Sequence, residues 1–148
     1  MSVDRGFVER NTKERTRLQA LITRLSDADL ARPLPAGWTV AAVLAHVAFW
    51  DQRILVLLAE WEKTGSPPPG IHEAHVDWVN DAAKPLALAL APRRAAEMTL
   101  AIAEAVDRKI ETLSDDLIQR NAAAGRPLSF DRAEHRREHL DEIEAALR

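Results

Sequence analysis

Residues 40–50 read VAAVLAHVAFW, and this stretch decides the fold. Every position but His46 is apolar or alanine, and a helix apolar on all sides belongs in an interior. Thr39 stands just before it as an N-cap, and Gly65 lies where a helix from Val40 to about Lys63 would stop. The chain is therefore predicted to wrap other helices around one long buried helix. Composition agrees: Leu and Ala dominate, Gly numbers only five and Tyr is absent, which favours helix.

The single polar residue in that stretch raises a chemical question. A buried imidazole must place its two nitrogens on hydrogen-bond partners or on a metal. On a helical wheel its face also carries Ala42, Phe49, Trp50, Arg53, Leu57 and Glu60. The expectation is an interior polar ladder of His46, Arg53 and Glu60 between aromatic and aliphatic walls. Trp50, Arg53 and Glu60 are then candidate substrate-binding residues, with an internal Arg53–Glu60 ion pair as the plainer reading.

Working outward, residues 3–25 form a first helical block with Phe7, Leu18, Leu21, Ile22 and Leu25 on its apolar side. SDADLARPLPAGW (26–38) reads as a loop, and SPPPG (66–70) as a stiff turn that no helix can cross. HEAHVDWVNDAA (72–83) reads as a short helix, and PLALAL (85–90) has a hint of strand alternation in weak strand formers. Pro92 suits the first turn of a helix to about Leu113, along which Ala95, Thr99, Ile102, Val106, Ile110 and Leu113 keep a 3.6-residue period. SDDLIQRNAAAGRP (114–127) is expected to connect, and Ser129 to cap the last helix. The expected fold class is all-α: a four-helix bundle with one short additional helix, one domain over residues 1–148.

At 148 residues, 47% hydrophobic and 29% charged, the chain has globular composition. A net charge of −3 and the lack of a basic stripe argue against nucleic acid. Zero Cys excludes disulfides, thiolate nucleophiles and Cys-type zinc sites. The N-terminal stretch has no apolar leader, and no run reaches the roughly 20 apolar residues of a membrane span. A cytoplasmic protein with no membrane partner is expected.

The last helix, DRAEHRREHLDEIEAALR (131–148), carries His135 and His139 one turn apart. Its apolar stripe runs through Ala133, Leu140, Ile143 and Leu147. The two histidines lie on the flank, about 100° or more from its centre, and Arg136 falls inside the apolar sector without an assigned partner. Three neutral imidazoles from facing helices can bind Zn²⁺ at about 2.0–2.1 Å and leave coordination positions open. The alternative is a satisfied core histidine plus a solvated surface pair, and spacing leaves both open. Asp131 and Glu142 are candidate outer carboxylates, or a helix-dipole complement and a solvated Glu. His72 and His75 read as a surface pair that could line a pocket mouth. Trp50, Trp61 and Trp78 are expected in the core or at a dimer face. GRP (125–127) lacks a phosphate-loop pattern, and no Ser-His-Asp grouping can be assembled.

GWTVAAVLAHVAFWDQR (37–53), followed by the late HxxxH at His135 and His139, resembles the DinB-like (YfiT-like) metalloenzyme superfamily. Trp38 matches the Trp that opens the family's second helix, and His46 its first ligand. VDWVNDAA resembles the segment before the third helix, and IETLSDDLI the end of that helix. The likeness spans nearly the whole chain. It implies a four-helix bundle, often dimeric, with a Zn, Ni or other divalent ion on His46, His135 and His139. Characterised members include thiol S-transferases using mycothiol or bacillithiol and a mycothiol-dependent isomerase. The resemblance thus implies a metal-dependent transferase or hydrolase acting on a small molecule, with a low-molecular-weight thiol as a possible cofactor and a homodimer as the assembly. A non-catalytic ligand-binding or stress-response bundle protein is the alternative it leaves.

Overall fold

The computed structural model describes residues 3–148. Among the described residues seven α-helices account for the architecture: α1 (Gly6–Arg24), α2 (Asp27–Leu30), α3 (Val40–Thr64), α4 (Val76–Ala89), α5 (Pro92–Glu111), α6 (Asp115–Ala122) and α7 (Ala133–Ala146). No strand occurs among the described residues. The long helices α1, α3, α5 and α7 close a ring, because α3 packs on α5 and α7, while α1 packs on the same two. The fold is all-α as expected, and this ring is compatible with the expected four-helix bundle, beside which α2, α4 and α6 stand as further helices. The helix α4 lies outside it, against α3.

The boundaries of α3 follow local chemistry. Thr39 caps the start by accepting from the Ala42 N–H, and Gly65 ends the helix at φ 74°, a left-handed geometry that costs glycine little. By length and composition α3 could span a bilayer, but 61% of its most apolar window is buried within the protein. Its side chains divide between two apolar clusters. Val40, Val43 and Leu44 join Leu18, Leu21, Leu140 and Ile143 in one. Ile54, Leu58 and Trp61 join Val106, Ile110 and Phe130 in the other.

Between the clusters lies a layer of buried charge. Asp51 of α3 is fully buried and Arg136 of α7 is 1% exposed. The Arg136 guanidinium donates to Asp51 Oδ2 at 3.0 Å and to both carboxylate oxygens of Asp107, from α5, at 2.8 and 2.9 Å. Arg132 donates to Asp51 Oδ1 at 2.8 Å, and Arg15 of α1 donates to Asp107 Oδ2 at 2.6 Å. Burial alone would weaken the Arg136 charge; Asp51 and Asp107 more than reverse that and hold it protonated. Each member is satisfied only when all four bundle helices stand in one register.

Several connections differ from expectation. The segment 26–38 contains α2, held by a Ser26–Asp29 capping box. HEAH is not helical in the α sense: Glu73–His75 is one 3-10 turn, and α4 runs through Pro85 to Ala89, taking in most of PLALAL. Leu and Ala are good helix formers, and they carry the helix on despite the lost donor and the ring crowding that an interior Pro brings. The expected connection after Ser114 is the helix α6, because Ser114 accepts from the Leu117 N–H and Ile118 is buried. Ser129 does not cap the last helix. Its hydroxyl donates to the Asp131 carbonyl, while Asn11 Oδ1 from α1 accepts from the Arg132 and Ala133 N–H groups at 2.7 and 3.0 Å.

Removing one partner strands the others without water. Arg136→Met should cost about 3–5 kcal/mol in urea or thermal unfolding, since Asp51 and Asp107 would remain buried and unpaired. The triple change Asp51→Leu, Asp107→Leu, Arg136→Met should recover most of that loss.

Candidate metal centre

The structure brings His46 from α3 together with His135 and His139 from α7. His46 Nε2 lies 3.1 Å from His135 Nε2, and His139 Nε2 lies 3.1 Å from the same atom. One ring nitrogen from each of the three falls within 4.8 Å of the others. The rings meet edge to face, with centroids 4.7–5.0 Å apart. The i, i+4 spacing aligns the α7 pair, and the flank position found on the helical wheel points it toward α3 rather than into the core.

Hydrogen bonding alone explains this grouping poorly. A neutral imidazole offers one donor and one acceptor nitrogen, so the single His135 Nε2 cannot serve two neighbours with full bonds. The Nδ1 atoms of His135 and His139 are buried without a hydrogen-bond partner. Glu142 Oε2 stands 3.4 Å from His139 Nδ1, close enough to attract the ring but not aligned to accept from it. Two nitrogens bound at about 2.0–2.1 Å to one ion, at tetrahedral to octahedral angles, stand about 2.9–3.4 Å apart. The observed 3.1 Å separations fit a divalent ion.

Electrostatics prepares the same state. Burial, then His139, pushes the His46 imidazole down to about 4. Burial, followed by His139, His46, Arg132 and Arg136, pushes His135 down to about 3. Both rings are thus neutral near pH 7, the protonation state that ligates metal. The Arg132–Asp51–Arg136 network brackets His135 on its own helix and ties that helix to α3.

The surrounding candidates divide. Trp38 meets the His46 ring edge-on at 5.7 Å. Trp50 Nε1 donates to Asn80 Oδ1 at 2.8 Å, which fastens α4 to α3, and Arg53 lies over the Trp50 ring at 5.6 Å. Among the described residues no carboxylate pairs with Arg53. Glu60 is exposed, so the expected interior ladder ends at Arg53. Its wheel position turns outward because the buried face of α3 runs through Asp51, Ile54, Leu58 and Trp61 instead. Asp131 bonds Arg10 and the Ala133 N–H, away from the histidines. His72 and His75 are exposed, and His72 Nδ1 accepts from the Ala74 N–H. Of the three other tryptophans, Trp61 alone is core; Trp50 is half-buried and Trp78 is 59% exposed.

Sequence reading missed two features. Asp51, Asp107, Arg132 and Asn11 were not singled out, although Arg136 in an apolar sector was a signal that carboxylates must face it. The second is an apolar cavity of about 450 Å³ between α3, α4 and α5, with His46 in its wall beside Trp38, Phe49, Trp78 and Met98.

The sequence profile of the DinB superfamily matches residues 10–143. The chain belongs to the DinB superfamily. The match runs from α1 to α7 and includes all three histidines. Comparison with curated proteins and with solved structures finds no match.

The depressed pKa values set a pH dependence for this DinB protein in its metal-free form. Its folded His46 and His135 bind protons less readily than the unfolded chain, whose histidines titrate near 6.5. Stability should therefore be full above about pH 6.5 and fall as the pH drops through about 4 toward about 3. Thermal unfolding across that range should show the slope, and His46→Gln should reduce it.

Proposed function

We propose that this chain is a divalent-metal protein whose three-histidine centre supports transfer or hydrolysis on a small molecule. The convergence of the His46, His135 and His139 Nε2 atoms, without enough hydrogen-bond partners, carries the reading. Zn²⁺ and Ni²⁺ both suit imidazole donors. Bound there, such an ion would supply Lewis acidity toward a water or a low-molecular-weight thiol.

The chain's own residues have distinct tasks. His46, His135 and His139 offer neutral nitrogens; Arg132 and Arg136, locked on Asp51, hold the α7 pair against α3. Glu142 Oε2, 3.4 Å from His139 Nδ1, places a carboxylate beside that ring at the solvent edge. Arg53, half-buried and unpaired among the described residues, offers positive charge one to two turns beyond His46 for an anionic group.

A non-catalytic ligand-binding or stress-response protein is the second reading. The cavity beside His46 favours it, since its lining carries no Asp, Glu, Lys or Arg to serve as a general acid or base beside the histidine.

Protein purified without a polyhistidine tag should contain about one divalent ion per chain by elemental analysis. His135→Ala should abolish retention while far-UV circular dichroism stays helical. Metal that binds without turnover of any thiol or electrophile in a broad panel would favour the second reading; no metal in the wild-type chain would remove the first.

A further inference from the structure

The cavity between α3, α4 and α5 is built to stay open. Its α4 wall mixes the small side chains Ala82, Ala83 and Ala87 with Val79, Trp78 and Leu86, and α3 adds Ala45 and Ala48 beside Phe49. No residue of α4 is fully buried, so the helix does not close onto the bundle to fill the space. Two polar attachments hold it off instead. Trp50 bonds Asn80, and Lys84 donates to the Ala36 carbonyl while lying over the Trp38 ring. The mouth is rimmed by exposed apolar side chains, Trp78 at 59% and Leu86 at 73% exposure. None of the lining residues is Lys, Arg, Asp or Glu.

Volume and lining together define the occupant. About 450 Å³ lies in the range of single small-molecule sites. An apolar lining without a charge leaves any ionised group that enters unpaired and desolvated, which selects against charged ligands. His46 belongs both to this wall and to the three-histidine centre, so an occupant can extend from the cavity to the metal site.

We propose that the cavity receives the uncharged aryl or branched-alkyl body of the substrate, while a polar head of the same molecule reaches the three-histidine centre. This rests on the metal-centre reading for the head but not for the body. Selectivity follows from the division: the apolar body supplies affinity by burial, and the head supplies the reacting group. Small hydrophilic molecules that fill only the metal site would bind weakly.

Two probes test the halves separately. N-phenylnaphthylamine, uncharged and fluorescent in apolar surroundings, should saturate at one molecule per chain. Ala83→Phe or, as a milder filling, Ala87→Leu should weaken it roughly tenfold or more, with circular dichroism unchanged. Leu88→Ser, on the exposed side of α4 and outside the lining, should leave it unaltered. Equal weakening by Leu88→Ser, or none by either filling variant, would overturn the proposal by placing the probe on the outer surface. In zinc-loaded protein, naphthohydroxamate should bind at least roughly tenfold tighter than acetohydroxamate, and Ala83→Phe should erase that advantage. No advantage, with the fluorescent probe still bound, would show that cavity and metal site do not share a ligand and would overturn the proposal. His135→Ala should lose hydroxamate binding and keep the fluorescent probe. If the wild-type chain takes up no zinc yet binds the probe as described, the metal-centre reading fails while the body site survives.

Discussion

Arg136 lies at the centre of this molecule, with Asp51 on one side and Asp107 on the other, and the rest of the structure depends on that arrangement. A guanidinium at 1% exposure is tolerated only because two carboxylates from two other helices reach it. Such a group contributes less to net stability than apolar packing would. Its effect is on register, because any rotation or slide of α7 against α3 and α5 leaves a charge buried alone. Arg132 and Arg15 extend the constraint to the start of α7 and to α1. Asn11 adds a cap for α7 from the same side of α1.

The three-histidine site inherits its geometry from this layer. His135 lies between Arg132 and Arg136 in sequence, and His46 lies one to two turns before Asp51 on α3. Fixing Asp51 against both arginines therefore fixes the distance between His46 and His135. The apolar clusters on either side make the layer rigid, and the flank position of the histidines leaves their Nε2 atoms at the edge of the bundle. That combination produces neutral, poorly satisfied nitrogens in a half-buried site. The cavity under α4 then gives the site an apolar neighbour rather than open solvent.

Much of this was legible in the chain, for identifiable reasons. Thr39, Gly65 and the apolar run between them define α3, since caps and periodicity are local properties. The three histidines were legible as candidates, because an imidazole is conspicuous in an apolar run and HxxxH places two on one face, and the family resemblance joined them into one site. The cap of α7 was not legible, because it comes from Asn11, far away in sequence, and Ser129 offered a plausible local substitute. Glu60 was misplaced for a related reason: a wheel centred on His46 treats its face as interior, whereas Asp51 marks the face that is actually buried. The persistence of α4 through Pro85 and the alanine-lined cavity depend on how helices pack, and alanines give no sequence signal of empty space.

X-ray absorption at the metal edge of zinc-loaded protein tests the central claim most directly. Convergence of the three imidazoles predicts a first shell containing three nitrogen scatterers at about 2.0–2.1 Å with the multiple scattering of imidazole rings, and loss of one ring in His46→Ala. A shell of oxygen scatterers alone, or an imidazole count unchanged by His46→Ala, would contradict it.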